Sequence, residues 1–167
     1  MNTYIMAMGS NMGDSLRILK EAVERLSREE GLTVRKVSSF YRTKPWGKRD
    51  QPDFINAAAL VEWEGSAEAL MALLLQVEKE FGRERKVHWG PRTLDLDLIY
   101  SENCTRETEF LRLPHPYFWE RPFVLVPMEE ILPSFTYEGK TIHARILELE
   151  GYKDLVKMNE RKEAGNE

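Results

Sequence analysis

A chain of 167 residues with 42% hydrophobic and 31% charged side chains can bury one core without staples, and is read as a single domain over 1–167. A formal net charge of −4 argues against a protein held on nucleic acid by backbone charge; the basic residues gather in 42–49 and 83–92, which favours a small anionic ligand. The lone Cys104 excludes an intrachain disulfide framework and a cysteine zinc site, and no apolar run reaches the ~18 residues of a membrane span. With no charged-then-apolar pattern at the N-terminus, a cytoplasmic setting without membrane contact is expected.

Thr3–Met8 reads as a largely buried first strand. It is expected to end in a turn over Gly9-Ser10-Asn11-Met12-Gly13-Asp14, whose glycines match neither G-x-x-x-x-G-K-[ST] nor G-x-G-x-x-G and so predict a tight turn rather than a phosphate cradle. Asp14 or Ser15 can cap a helix that sets Leu16, Leu19, Val23 and Leu26 on one face. A second strand is expected over Leu32–Tyr41. Arg42–Asp53, with two prolines, a glycine and no periodicity, reads as a lid-like loop carrying Trp46. Phe54–Trp63 predicts a third strand with the Phe54 ring and the Asn56 amide on one face, a pairing that suits a flat heteroaromatic ligand and also occurs in plain cores. A second helix over Ser66–Phe81 would bury Leu70, Leu73, Leu74 and Val77, carry Glu78 one turn before its end, and stop at Gly82.

The densest signal lies between Arg83 and Tyr100. Leu94, Leu96 and Leu98 alternate with Asp95 and Asp97, the period of a half-buried strand over Leu94–Tyr100. Carboxylates two apart on a strand stand roughly 6.5–7 Å apart at the backbone and can converge on a cation. Upstream, Arg83, Arg85, Lys86 and Arg92 face a single acid, Glu84, around the turn Trp89-Gly90-Pro91. Either feature alone is more often solvated surface; joined, they suit a metal-bound polyphosphate. The order βαββαβ predicts an α+β, ferredoxin-like core, an antiparallel sheet with helices on one face, followed by a C-terminal extension. In that extension we expect a strand over Thr105–Leu113, a Pro114-His115-Pro116 bend displaying His115, and an apolar helix opening at Pro122. A turn at Tyr137-Glu138-Gly139-Lys140, a short helix near Ile142–Leu149 and a frayed tail, E-R-K-E-A-G-N-E, complete it.

The run W-G-P-R-T-L-D-L-D-L-I does not stand alone. With Gly9-Ser10-Asn11, S-S-F-Y-R-T at 38–43, Q-P-D-F-I-N-A-A at 51–58, G-R-E-R at 82–85, L-P-H-P at 113–116 and R-P-F at 121–123, the chain resembles the 6-hydroxymethyl-7,8-dihydropterin pyrophosphokinase family. Enzymes of that family move the β,γ-pyrophosphoryl group of ATP onto a pterin alcohol in folate biosynthesis. The resemblance implies two Mg²⁺ ions held by Asp95 and Asp97. It implies a pterin surrounded by Thr43, Lys44, Trp46, Phe54, Asn56, Trp89, Asp95 and Phe123, with Phe54 and Phe123 stacking on its faces. ATP would meet Glu78, Arg85, Trp89, Arg92, His115 and Arg121, while Arg83 and Arg92, with the two aspartates, would serve the chemistry. The loops at 42–53 and 83–93 would close over a monomer whose only partners are ATP and the pterin. A shortened arginine loop, His88 before Trp89 and Lys44 at a position where proline is common depart from the family pattern, and bear on closure and nucleotide affinity rather than on the reaction.

Two other classes compete. Nucleotidyltransferases also join a Gly-Ser turn to an Asp-x-Asp strand, but here a βαββα segment separates Gly9-Ser10 from Asp95, and the nucleotide product distinguishes them: AMP against pyrophosphate. A non-catalytic ferredoxin-like RNA or ligand module would want basic charge or an RNP1-like aromatic run, and the chain has neither.

Overall fold

A computed structural model describes residues 1–43, 53–82 and 93–158. Its first strand, β1 (Asn2–Ser10), outruns the expected one and carries Gly9 and Ser10 in extended backbone. The turn expected from Gly9 therefore starts later, and its left-handed glycine is Gly13 at φ 70°. Pairing explains the difference, because Gly9 and Ser10 lie in register with Asn56 and Ile55 and ladder bonding outweighs a glycine's local preference for turns. Helix α1 (Ser15–Ser27) is capped by Asp14, whose carboxylate accepts the Arg17 N–H.

The single strand expected over Leu32–Tyr41 is two: β2 (Leu32–Val37) and β3 (Tyr41–Thr43). One extra residue, Arg35, bulges out as β2 pairs with β4 (Phe54–Trp63) and shifts the register. Ser38 then replaces the ladder, donating its N–H to the Ala58 carbonyl and accepting the Ala58 N–H on its hydroxyl, both at 2.9 Å. Helix α2 (Ala67–Glu80) begins at a Ser66 cap and gives way to Gly82 at φ 81°, a C-terminal stop that only glycine adopts readily. Strand β5 (Asp95–Tyr100) follows.

Thr105–Leu113 is not one strand. Residues 107–110 are exposed, and the segment folds back as a small hairpin, β6 (Arg106–Glu107) with β7 (Arg112–Leu113), closed by Thr108 on the Leu111 carbonyl at 3.0 Å. Pro122 takes the first position of α3 (Pro122–Ile131). The Y-E-G-K turn joins β8 (Thr136–Tyr137) to β9 (Lys140–Thr141) with Glu138 and Gly139 both at positive φ, the hairpin geometry expected. After α4 (Ile142–Leu149), a 3-10 turn over Gly151–Asp154 leads to β10 (Val156–Lys157), an unexpected strand whose side chains are exposed and carry no pattern.

The main sheet runs β10-β3-β4-β1-β5, with β2 also on β4, all antiparallel, which is the ferredoxin-like order. On one face Tyr4, Met6, Met8, Val61, Leu96 and Leu98 meet Leu19 and Leu26 of α1 and Leu70, Leu74 and Val77 of α2. On the other, Ile5, Ala58 and Ile99 meet Val124, Leu125 and Met128 of α3 and Ile142 and Ile146 of α4. The extension thus covers the face that the first two helices leave open.

Candidate active site

Antiparallel partners share a sheet face, so register decides which side chains meet. Asn56 on β4 stands opposite Gly9 on β1, and Gly9 opposite Asp95 on β5. One row on, Ala58 stands opposite Ala7 and Ala7 opposite Asp97. Thr43 on β3 pairs with Phe54. Strand alternation puts all of these on the α3 face, so the sheet gathers Thr43, Phe54, Asn56, Asp95 and Asp97 on one surface. The leucines between the aspartates point the other way and are 0–3% exposed, while Asp95 and Asp97 are half-buried. The alternation reading of this strand holds.

Asn56 and Thr43 are buried, and the Asn56 amide donates Nδ2–H to the Thr43 hydroxyl at 3.3 Å. Glu78 reaches β5 from the helix side. Only 2% exposed, it accepts the Leu96 N–H on Oε2 at 2.7 Å, bracing the strand between its two aspartates. The far end of β5 fixes the His115 bend, since the His115 N–H donates to the Ile99 carbonyl at 2.8 Å.

The His115 ring is half-buried, and Nδ1 accepts the Tyr117 N–H at 3.2 Å, which leaves Nε2 to carry the proton of the neutral ring. Burial, reinforced by the Arg121 charge, pushes the imidazole down to about 4, so it is neutral near pH 7. The Arg121 guanidinium lies 5.7 Å from the ring centroids of both Tyr117 and Phe123. Arg121 precedes α3 and Phe123 belongs to its first turn. Lys44, Trp46, Arg83, Arg85, His88, Trp89 and Arg92, with the loop expectations built on them, lie outside the described residues.

Two contributors escaped the sequence reading. Tyr117, 60% exposed, shares Arg121 with Phe123; its place between His115 and Arg121 is the signal that could have found it. Glu130 of α3 accepts the Tyr41 hydroxyl at 2.6 Å, the Ser39 N–H at 3.0 Å and the Ser39 hydroxyl at 2.9 Å, tying the base of β3 to the extension. Nothing local marks a bond between residues 89 positions apart.

Among the described residues no group of three or more His, Cys, Asp or Glu side chains converges as a metal cage. Two hard carboxylates on one face fit Mg²⁺ instead, which takes one or two protein carboxylates and completes its shell with phosphate oxygens and water. Among the described residues no helix is long and apolar enough to cross a membrane.

Solved structures share this fold. HPPK-DHPS in complex with substrates superposes with a TM-score of 0.67 at 13% identity, over 94% of this chain and 48% of that one. Wild-type Plasmodium falciparum HPPK-DHPS with pteroate gives 0.70 at 13% identity, over 93% and 45%. The chain spans about half the length of these two-part proteins, and the architecture is that of their ferredoxin-like HPPK domains. The family model for 7,8-dihydro-6-hydroxymethylpterin-pyrophosphokinase (HPPK) matches residues 5–133. The 2-amino-4-hydroxy-6-hydroxymethyldihydropteridine pyrophosphokinase of Methylorubrum extorquens is 39% identical over 150 residues, 90% of this chain and 95% of its own length. That of Bacillus subtilis is 45% identical over 138 residues, 83% of each. The chain belongs to the HPPK family, the pyrophosphokinases of folate biosynthesis.

Proposed function

We propose that this enzyme transfers the β,γ-pyrophosphoryl group of ATP to 6-hydroxymethyl-7,8-dihydropterin in a Mg²⁺-dependent reaction that releases AMP. The observation that carries the reading is the single sheet face on which Asp95 and Asp97 stand beside Asn56 and Phe54. The pterin is read at its edge by the Asn56 amide, with Thr43 beside it. It is stacked by Phe54 and Phe123, while Lys44, Trp46, Trp89 and Asp95 complete its surroundings. Two Mg²⁺ ions held by Asp95 and Asp97 supply charge neutralisation and polarisation of the phosphate oxygens when bound.

ATP is engaged by Glu78, Arg85, Trp89, Arg92, His115 and Arg121. In this reading neutral His115 offers an Nε2–H donor and Arg121 a guanidinium already placed between two rings. The pterin hydroxymethyl oxygen attacks the β-phosphorus as the bond from that phosphorus to the α,β-bridging oxygen breaks, and AMP leaves with the electron pair. Arg83 and Arg92 offset charge on the transferring group. A loose transition state lets the hydroxyl proton depart late, so the chain's contribution is positioning and charge rather than a dedicated base.

The test is nucleotide product analysis after incubation with ATP, Mg²⁺ and the pterin. AMP formed only when pterin is present is the expected result. Pyrophosphate release would mean nucleotidyl transfer, and a folded protein that binds both substrates without turnover would be a regulatory relative; either overturns the reading.

A further inference from the structure

Gly9 is the next-to-last residue of β1, paired with β4 on one side and β5 on the other, where a glycine weakens a strand. No turn explains it, because β1 continues through Ser10. No backbone demand explains it either: among the described residues the glycines at positive φ are Gly13, Gly31, Gly82 and Gly139, and Gly9 has extended backbone that any residue adopts.

Among the described residues a Cβ built at Gly9 meets one close atom, Asn56 Oδ1 at 3.1 Å; the next, the Ile55 carbonyl oxygen, is in ordinary contact at 3.7 Å. A single carboxamide therefore stands in the way of an alanine. That carboxamide is held on its other side by a long hydrogen bond, Nδ2 to Thr43 Oγ1 at 3.3 Å. A methyl group pressing on Oδ1 would displace the amide by a few tenths of an ångström, away from β1 and towards Thr43, and change the geometry of that bond. The same bare stretch of backbone separates Asn56 from Asp95 in register, leaving the floor between amide and carboxylate flat.

We infer that Gly9 is a positioning residue for the planar heteroaromatic substrate: its missing side chain leaves the Asn56 carboxamide in the orientation that reads the ring edge. The inference rests on the proposed binding of the pterin at Asn56.

The experiment is Gly9→Ala in the full chain, with KM measured for each substrate, thermal unfolding, and the Asn56 side-chain amide resonance in the free enzyme. The KM for the pterin rises about tenfold or more, the KM for ATP stays within about twofold, and the melting temperature is unchanged or higher, since alanine suits a strand better than glycine. The Asn56 amide resonance moves before any ligand is added. An unchanged pterin KM overturns the inference. So does a pterin KM that rises while the Asn56 resonance stays put, because the methyl would then obstruct the ring directly. A lower melting temperature with both KM values raised would make Gly9 a requirement of the fold and overturn it as well. Failure of the wild-type enzyme to form pterin-dependent AMP is a separate result and removes the underlying reading instead.

Discussion

On β5, Asp97 stands across from Ala7 and Asp95 across from Gly9, so neither carboxylate has a bulky cross-strand neighbour on β1 to pack against. With Asp97 read as a metal ligand, its removal should cost chemistry. Asp97→Ala is expected to lower kcat about 10³-fold, equivalent to about 4 kcal/mol of transition-state stabilisation, with circular dichroism and melting temperature close to wild type. Near-wild-type AMP release from that variant would remove Asp97 from the metal pair. His115 gives a pH signature. Its folded-state value of about 4 lies below the usual imidazole range near 6.5, so the unfolded chain takes up the proton first as pH falls. The contribution to stability is complete above about pH 6.5 and is lost progressively towards pH 4. Urea unfolding at pH 7 and pH 4.5 should show a larger drop in midpoint for wild type than for His115→Asn. Equal drops would mean that the ring is not held neutral by its burial.

Between elements, one contact that steadies the strand of the aspartates comes from the opposite face. Glu78 of α2 is buried and accepts the N–H of Leu96, a donor that an edge strand leaves without a ladder partner. Glu78→Ala strands that donor in the core. A loss of about 1–3 kcal/mol is expected in denaturant unfolding, with faster amide exchange at Leu96, and unaltered exchange there would show that the brace is dispensable. Much at this scale is legible in the sequence. The helix stripes with Asp14 and Ser66 at their starts, Phe54–Trp63, and the Leu/Asp alternation of β5 all follow from local periodicity and capping. What escaped depends on partners. The break between β2 and β3 follows from a bulge defined only against β4, and β10 joins β3 through a two-residue ladder with no side-chain pattern of its own. Gly9 looked like a turn because its local preference was all that could be seen. The Tyr41–Glu130 bond joins positions that only the fold brings together.

For the molecule as a whole, the sheet is sandwiched unevenly. Helices α1 and α2 cover one face, while α3 and α4 pack on the other around Ile5, Ala58 and Ile99, and Thr43, Phe54, Asn56, Asp95 and Asp97 share that second face. The chain returns at its end to lay β10 beside β3, with Val156 opposite Arg42 and Lys157 opposite Tyr41, while the Met158 N–H donates to the Phe40 carbonyl at 2.8 Å. Deleting 156–167 uncovers the ladder groups of β3 next to Thr43, so the shortened enzyme should show a raised KM for the pterin. An unchanged KM would mean that β3 keeps its position unaided. The outermost strand has a second consequence, for life at high protein concentration. A bare sheet margin is a template on which another molecule can add its own strand, and aggregates and fibrils grow that way. Here a short segment ending in a lysine occupies the margin beside β3, Glu78 takes up a donor on the β5 side, and β2 presents exposed Arg35 and Lys36. Light scattering of the shortened chain should therefore rise with concentration where that of the full chain stays flat, making β10 a guard against self-association as well as a support for the site.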